Sequence, residues 1–228
     1  MNLTAHIGNL AISVLANATC KIGPFPDDQI ALKGPLILIF NHVNLVEGPV
    51  LLHMLARRDV VIMAKVETWK NPIFGPVLDG WDGIKVHRGE ADLDAFRKAQ
   101  QALDQGKILL ISPEGTRSEI RGLEAGLGPG HAGVTLLAVR SGAPVQAIGC
   151  YDHRGFWTRV YRGFKRVPLN FRAGKPFKLD MGGKALSREV RQQATDEIMY
   201  ELAAALPPDY RGMYADLSKA TRDYLRPL

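Results

Sequence analysis

His42 stands just past the apolar run Leu36–Phe40, and Glu47 follows it five residues later. An imidazole at the end of a buried strand lies where α/β sheets collect their ligands. A carboxylate within reach can hold such an imidazole in one tautomer, which is the arrangement a general base requires. Asn44-Leu45-Val46-Glu47 also fits the N-x-x-E variant of a helix capping box. Pro49 argues against that reading: in a helix capped at Asn44 it would occupy the fifth helical position, where its missing N–H forfeits a bond and its ring crowds the preceding turn. A helix that starts at Pro49 removes both penalties and leaves Glu47 on the turn before it, folded back towards His42.

A second cluster, Ser112-Pro113-Glu114-Gly115-Thr116-Arg117-Ser118, follows another apolar run. Taken alone it makes a serviceable turn into a helix. Its position suggests more, because Lys65 follows the apolar stretch 60–64 and Arg88 follows 83–86. Four strand ends therefore deliver His42, Lys65, Arg88 and Arg117. If the strands are parallel, one base and three cations meet at one rim, which suits a substrate with a hydroxyl to deprotonate and a phosphate to hold. Gly128-Pro129-Gly130-His131-Ala132-Gly133 matches G-x-G-x-x-G but lacks the strand that must precede a dinucleotide fingerprint. No GxxxxGK[ST], HExxH or GxSxG string occurs. No cofactor and no metal are implied.

Positioning these residues requires short buried strands separated by helices. The expected strands are 36–40, 60–64, 83–86, 108–111 and 144–148, each flanked by turn residues. Helices are expected over 49–56, over 91–105 with Leu93, Phe96, Gln100 and Leu103 on one face and Gly106 as its stop, and over 132–141 with Gly142 as its stop. This alternation predicts an α/β fold with a mostly parallel or mixed central sheet flanked by helices. A helix over 188–205 and a last one near 214–225 would pack on that sheet, giving a helical C-terminal part from 187 to 228. The 228 residues suit a single domain, and 46% hydrophobic with 23% charged residues exclude disordered and collagen-like chains. Two cysteines without a CxxC argue against a disulfide framework or a thiolate zinc site and fit a reducing compartment. No apolar run approaches the length of about 18 residues that a membrane span needs, and the N-terminus lacks the features of a signal peptide.

Charge is concentrated in one stretch. Between Tyr151 and Lys178 lie eight basic residues against Asp152 alone, in a chain whose formal net charge is +6. Phe156, Trp157, Tyr161, Phe164, Phe171 and Phe177 are interleaved with them. That composition suits a membrane surface, a single-stranded nucleic acid or an anionic substrate, and equally a solvated, twisted hairpin with alternating faces. Nucleic acid is disfavoured because no nucleic-acid-binding fold signature accompanies the charge. Residues 1–20 carry no formally charged side chain and place Asn9, Ser13 and Asn17 opposite Ile7, Leu10, Val14 and Ala18. This predicts an amphipathic helix that either caps the core or lies on lipid.

Taken together, Asn41-His42 with an acid five residues on, Gly83-Ile84-Lys85-Val86-His87-Arg88, the Pro-Glu-Gly-Thr-Arg block and Ala143-Pro144-Val145-Gln146-Ala147-Ile148 resemble, in order and spacing, the four blocks of the glycerolipid acyltransferases, 1-acylglycerol-3-phosphate acyltransferases especially. The resemblance runs over about 22–178. It implies that His42 removes a proton from an acceptor hydroxyl, which attacks the thioester of acyl-CoA or an acyl carrier protein directly, with Glu47 orienting His42. It implies further that Lys65, Arg88 and Arg117 bind the acceptor phosphate, that Glu114 contacts the glycerol backbone, that Thr116 belongs to the same binding block, and that the Gly115 N–H is a candidate oxyanion donor. The expected partners are an acyl-thioester donor, a lysophospholipid acceptor and an anionic membrane surface, met by peripheral attachment to its cytoplasmic face. The sequence departs from the family where aspartate is usual at position 47, phenylalanine at 112 and a lysine-bearing stretch at 129–131. These departures leave two alternatives, a catalytically weak relative that binds anionic lipid through its basic surface and an acyltransferase for a different acceptor.

Overall fold

Leu-Ile-Leu-Ile-Phe at 36–40 is buried on both faces, as a strand in the middle of a parallel sheet must be. The computed structural model describes residues 3–72, 74–87, 92–115, 117, 126–163 and 165–228. Among these the order is α1 (Leu3–Thr19), β1 (Cys20–Ile22), β2 (Leu36–Phe40), α2 (Glu47–Met54), β3 (Val60–Lys65), α3 (Phe74–Gly80), β4 (Ile84–Val86), α4 (Leu93–Asp104), β5 (Ile108–Ile111), α5 (Gly133–Ser141), β6 (Val145–Tyr151), α6 (Phe156–Gly163), β7 (Val167–Ala173), β8 (Phe177–Leu179), α7 (Arg188–Ala204) and β9 (Leu225–Pro227).

The strands form one mixed sheet in the order β1-β7-β6-β2-β5-β3-β4, with β8 beside β6 and β9 beside β8. The run β6-β2-β5-β3-β4 is parallel throughout. β7 and β8 run antiparallel to β6. Alternate side chains of β2 feed two cores. Ile37 and Ile39 pack with Ala99 of α4, Leu137 of α5 and Ile198 of α7. Leu36, Leu38 and Phe40 pack with Ile12 of α1, Leu51 of α2, Val77 of α3 and Phe156 of α6.

The central α/β pattern follows the sequence reading closely, and the differences have local causes. α2 begins at Glu47, two residues earlier than expected. Pro49 is then its third residue, still among the first four, whose N–H groups have no intrahelical acceptor, so the ring costs no bond. α4 buries Ala95, Ala99, Ala102 and Leu103, while Leu93, expected on the buried face, is exposed. Leu93 lies two positions, about 200°, from Ala95 around the helix and so points away from the face the alanines bury. Gly106 and Gly142 follow α4 and α5 with positive φ, 77° and 63°, as expected of residues that stop helices.

Two regions were misread. The tail near 214–225 is not a helix but short 3-10 turns leading into β9. Buried Glu197 of α7 accepts hydrogen bonds from Thr221 Oγ1 and from the N–H groups of Asp223 and Tyr224, which pulls the tail out straight. The basic stretch is not a hairpin: α6 is followed by β7 and β8, each of which pairs with β6. Phe156, Phe171 and Phe177 are buried in the two cores, so they form no stacking surface. Trp157 is partly exposed, and Phe164 and the Tyr161 side chain lie outside the described residues.

α1 packs Ile12 and Ala16 inward against its neighbours. Leu10 and Val14, expected on the apolar face, are instead 66% and 62% exposed. The helix thus caps the core with one stripe and presents a second apolar stripe to the outside.

Candidate active site

β2 ends at Phe40, and the side chain of Asn41 takes over its ladder. Asn41 Nδ2 donates to the Cys150 carbonyl at 2.8 Å, and the Cys150 N–H donates to Asn41 Oδ1 at 2.7 Å. The chain can therefore leave the sheet at His42 without abandoning buried backbone groups. The His42 N–H donates to Glu114 Oε1 at 3.0 Å, and Gly128 N–H donates to Glu114 Oε2 at 3.0 Å. Glu114 is 1% exposed and spends these bonds on the main chain. Glu114 is thereby a strut that fixes the ends of β2 and β5 against each other.

Glu47 has no exposed side-chain surface. Its Oε2 lies 3.2 Å from His42 Nδ1. Its Oε1 accepts the N–H groups of Val43 and Asn44 at 2.9 Å each. A further imidazole, that of buried His153, brings Nε2 to 2.5 Å from the same oxygen. The capping contact to Asn44 and the histidine contact, alternatives in the sequence, are thus made together by the two oxygens of one carboxylate. Burial alone would push the Glu47 carboxyl up. The His153 and His42 imidazoles outweigh it and hold the group well below the usual carboxylate range. Because an ionised carboxylate only accepts, His42 must present Nδ1–H to it, which leaves Nε2 with a lone pair on the side away from Glu47.

His42 lines a cavity of about 500 Å³. Phe40, Leu52, Ile62, Phe74, Val77 and Leu78 contribute apolar wall, while Lys65, His87, Arg117 and His131 contribute polar groups. The structure therefore brings His42, Lys65 and Arg117 together from the ends of β2, β3 and β5, all parallel. Arg88 and Thr116 lie outside the described residues. Gly115 lines the cavity at φ 64°, and its N–H donates to the Ser112 carbonyl at 3.2 Å and closes a turn. A Cβ at this position would lie 2.8 Å from Cδ2 of His131.

Sequence reasoning missed His87, His131 and His153. His87 sits one residue past β4, at the same rim, with Nδ1 3.0 Å from Asp92 Oδ2. Asp92 also caps α4 through the Ala95 N–H, and the Ala95 and His87 N–H groups depress its carboxyl to about 2. His131 lies inside the rejected glycine string, where no dinucleotide context drew notice to it. The signal for His153 was its place two residues past the end of β6, the same offset His42 has from β2.

The acyltransferase family matches residues 25–151, more than half of the chain, and the protein belongs to that family. No curated sequence is a significant match. Among solved structures the fold is similar to that of the 1-acyl-sn-glycerophosphate acyltransferase PlsC of Thermotoga maritima, with 20% identity and a TM-score of 0.58 over 86% of this chain and 74% of that one.

Proposed function

We propose that the protein transfers a fatty acyl group from a thioester, acyl-CoA or acyl carrier protein, to the hydroxyl of a lysophospholipid, most simply 1-acylglycerol-3-phosphate. The observation that carries this reading is the His42–Glu47 pair at the wall of a cavity lined both by apolar side chains and by Lys65 and Arg117. His42 Nε2 takes the proton of the acceptor hydroxyl as its oxygen attacks the thioester carbonyl. The tetrahedral intermediate collapses, the C–S bond breaks, and the departing thiolate recovers the proton from His42. No acyl-enzyme is formed. Glu47 keeps the imidazole in the correct tautomer and stabilises the imidazolium that forms transiently. The apolar wall suits an acyl chain, and Lys65 and Arg117 suit a phosphate. Mass spectrometry of lipids formed from mixed acyl thioesters and a panel of lyso-acceptors tests the reading. An acylated phospholipid that requires His42 supports it, and its absence with every donor and acceptor leaves only the lipid-binding alternative.

Arg117 supplies a sharper test of the acceptor. Substitution by alanine is expected to raise KM for a phosphorylated acceptor by at least tenfold with a smaller change in kcat, and lysine is expected to restore only part of the loss because it lacks the planar fork. Equal wild-type activity on phosphorylated and dephosphorylated acceptors would remove the phosphate from the assignment.

We also propose peripheral attachment to the cytoplasmic face of a membrane. Among the described residues no helix is long and apolar enough to cross one. Leu10, Val14 and Leu15 of α1 are exposed apolar side chains, and the stretch 151–178 carries the charge excess. These surfaces respond differently to salt, since charge is screened within about 8 Å at physiological ionic strength while apolar insertion hardly changes. Vesicle sedimentation of Leu10→Ser/Val14→Ser should show weaker binding at all salt concentrations. Binding that falls steeply with salt and needs anionic lipid would assign the contact to the basic stretch, and no sedimentation in either case would reject attachment.

A further inference from the structure

From the geometry around Glu47 we infer that His153 is a positioning residue: its Nε2–H holds the buried carboxylate so that the other oxygen keeps His42 in the Nδ1–H tautomer. The inference rests on the acyl-transfer reading only for its kinetic consequence.

His153 has no exposed side-chain surface. It comes from the end of β6, the strand next to β2, and its Nε2 lies 2.5 Å from Glu47 Oε1, the oxygen that His42 does not contact. Both Glu47 oxygens are acceptors, so the hydrogen between them and His153 must come from the ring. That fixes the Nε2–H tautomer and leaves Nδ1 as a lone pair. No described polar group hydrogen-bonds Nδ1, which is the pattern of a ring placed for the bond at its other nitrogen. The segment carrying it is fastened independently of that ring. Asn44 Nδ2 donates to the His153 carbonyl at 3.2 Å, and Asn41 bridges to Cys150.

The bond matters because position 47 is glutamate. The side chain is one methylene longer than aspartate, about 1.3 Å of added reach along a further rotatable bond. Two backbone N–H groups hold Oε1, and His153 is the third donor on that oxygen. A misplacement of about 1 Å in a catalytic constellation can cost on the order of 10²-fold.

The groups facing His153 are Glu47 of α2, with His42 beyond it, the Tyr210 ring stacked at 6.4 Å between centroids, and Arg154, whose guanidinium covers that tyrosine and pairs with Asp209. Only Glu47 receives its N–H. Without that donor the carboxylate is free to leave His42, whose imidazolium then loses its partner, so the acid limb of the kcat/KM profile should move to lower pH.

His153→Phe keeps the ring volume and removes the donor, whereas His153→Gln keeps an N–H near the position of Nε2. With the donor and acceptor that wild type turns over fastest, the phenylalanine variant should lose at least tenfold in kcat with both KM values within about twofold, and its acid limb should shift downward. The glutamine variant should stay within about threefold of wild type. Histidine ¹⁵N spectra of the full chain should place His42 as Nδ1–H and His153 as Nε2–H in wild type and in His153→Gln, with the His42 tautomers mixed in His153→Phe. An unchanged kcat and pH profile in a folded His153→Phe overturns the inference, as does an equal loss in both variants. A wild-type spectrum with His153 as Nδ1–H overturns it even where the phenylalanine variant fails to fold. If wild type turns over no substrate, the acyl-transfer reading falls, and the tautomer spectra still decide whether His153 positions Glu47.

Discussion

Replacing His42 with alanine is expected to lower acyl transfer by at least 10²-fold and to leave the fold standing. The general-base contribution of such a group is typically about 10² to 10⁴, and 10² corresponds to about 2.7 kcal/mol of transition-state stabilisation at 25 °C. The structural cost is comparable or smaller. His42 is partly exposed at the cavity wall, and its bond to Glu114 is made by the backbone N–H, which alanine retains. Glu47 loses the donor on Oε2 but keeps the N–H groups of Val43 and Asn44 and the imidazole of His153 on Oε1. The expected stability loss is that of one net hydrogen bond to a charged group, about 1.5–3 kcal/mol. Thermal unfolding with a modest change in midpoint, alongside thiol release reduced to background, is the predicted pair of results. A folded variant that keeps more than about a tenth of wild-type turnover would take the general-base role away from His42.

Much of this site was legible because strand ends are legible. An apolar run of four or five residues announces a buried strand, a parallel sheet sends successive strands to the same rim, and chemistry-bearing residues just past those runs must meet there. His42, Lys65 and Arg117 were found in this way. The same rule would have found His153, had β6 been followed to Tyr151. Gly149 hid the continuation, since a glycine in a strand-like run reads as a break. In the fold it lets the backbone of Ala205 approach, where a Cβ would lie 2.3 Å from the Ala205 carbonyl oxygen. For Glu114 the family resemblance implies a substrate contact, and the local sequence carries no sign of its burial. Its burial depends on His42 and Gly128, one from another strand and one from a later loop. The C-terminal tail failed for a similar reason. Its local pattern is compatible with a helix, and the buried carboxylate of Glu197 that straightens it lies 24 or more residues away. Local periodicity reports which face of an element is apolar, whereas a buried carboxylate collecting distant N–H groups leaves no periodic trace.

Glu47→Gln is expected to reduce kcat by roughly 10²–10⁴, the range in which a wrong histidine tautomer is known to act. The amide has one acceptor and one donor where the carboxylate has two acceptors. The Oε1 position faces three donors, from Val43, Asn44 and His153, so the amide oxygen must take it. The NH₂ group then faces His42 Nδ1, which can meet it only as a lone pair, and the ring proton moves to Nε2, where the acceptor hydroxyl needs a base. KM should change little, since the amide touches neither substrate. Glu47→Asp restores the residue usual in the family, yet it should also lose about 10²-fold. A carboxylate anchored on the same three donors withdraws from His42, whose contact is already 3.2 Å. Histidine ¹⁵N spectra should separate the two cases, with His42 locked as Nε2–H in the glutamine variant and mixed between tautomers in the aspartate variant. Stability provides an independent check with a definite sign. A carboxyl held below its ordinary value of 4.5 contributes stability that is fully present above that pH and is lost as pH falls towards the lowered value. The stability deficit of Glu47→Gln should therefore be largest at neutral pH and narrow below about pH 4.5. A glutamine variant with wild-type kcat would detach Glu47 from His42 and return it to the role of a turn-forming residue.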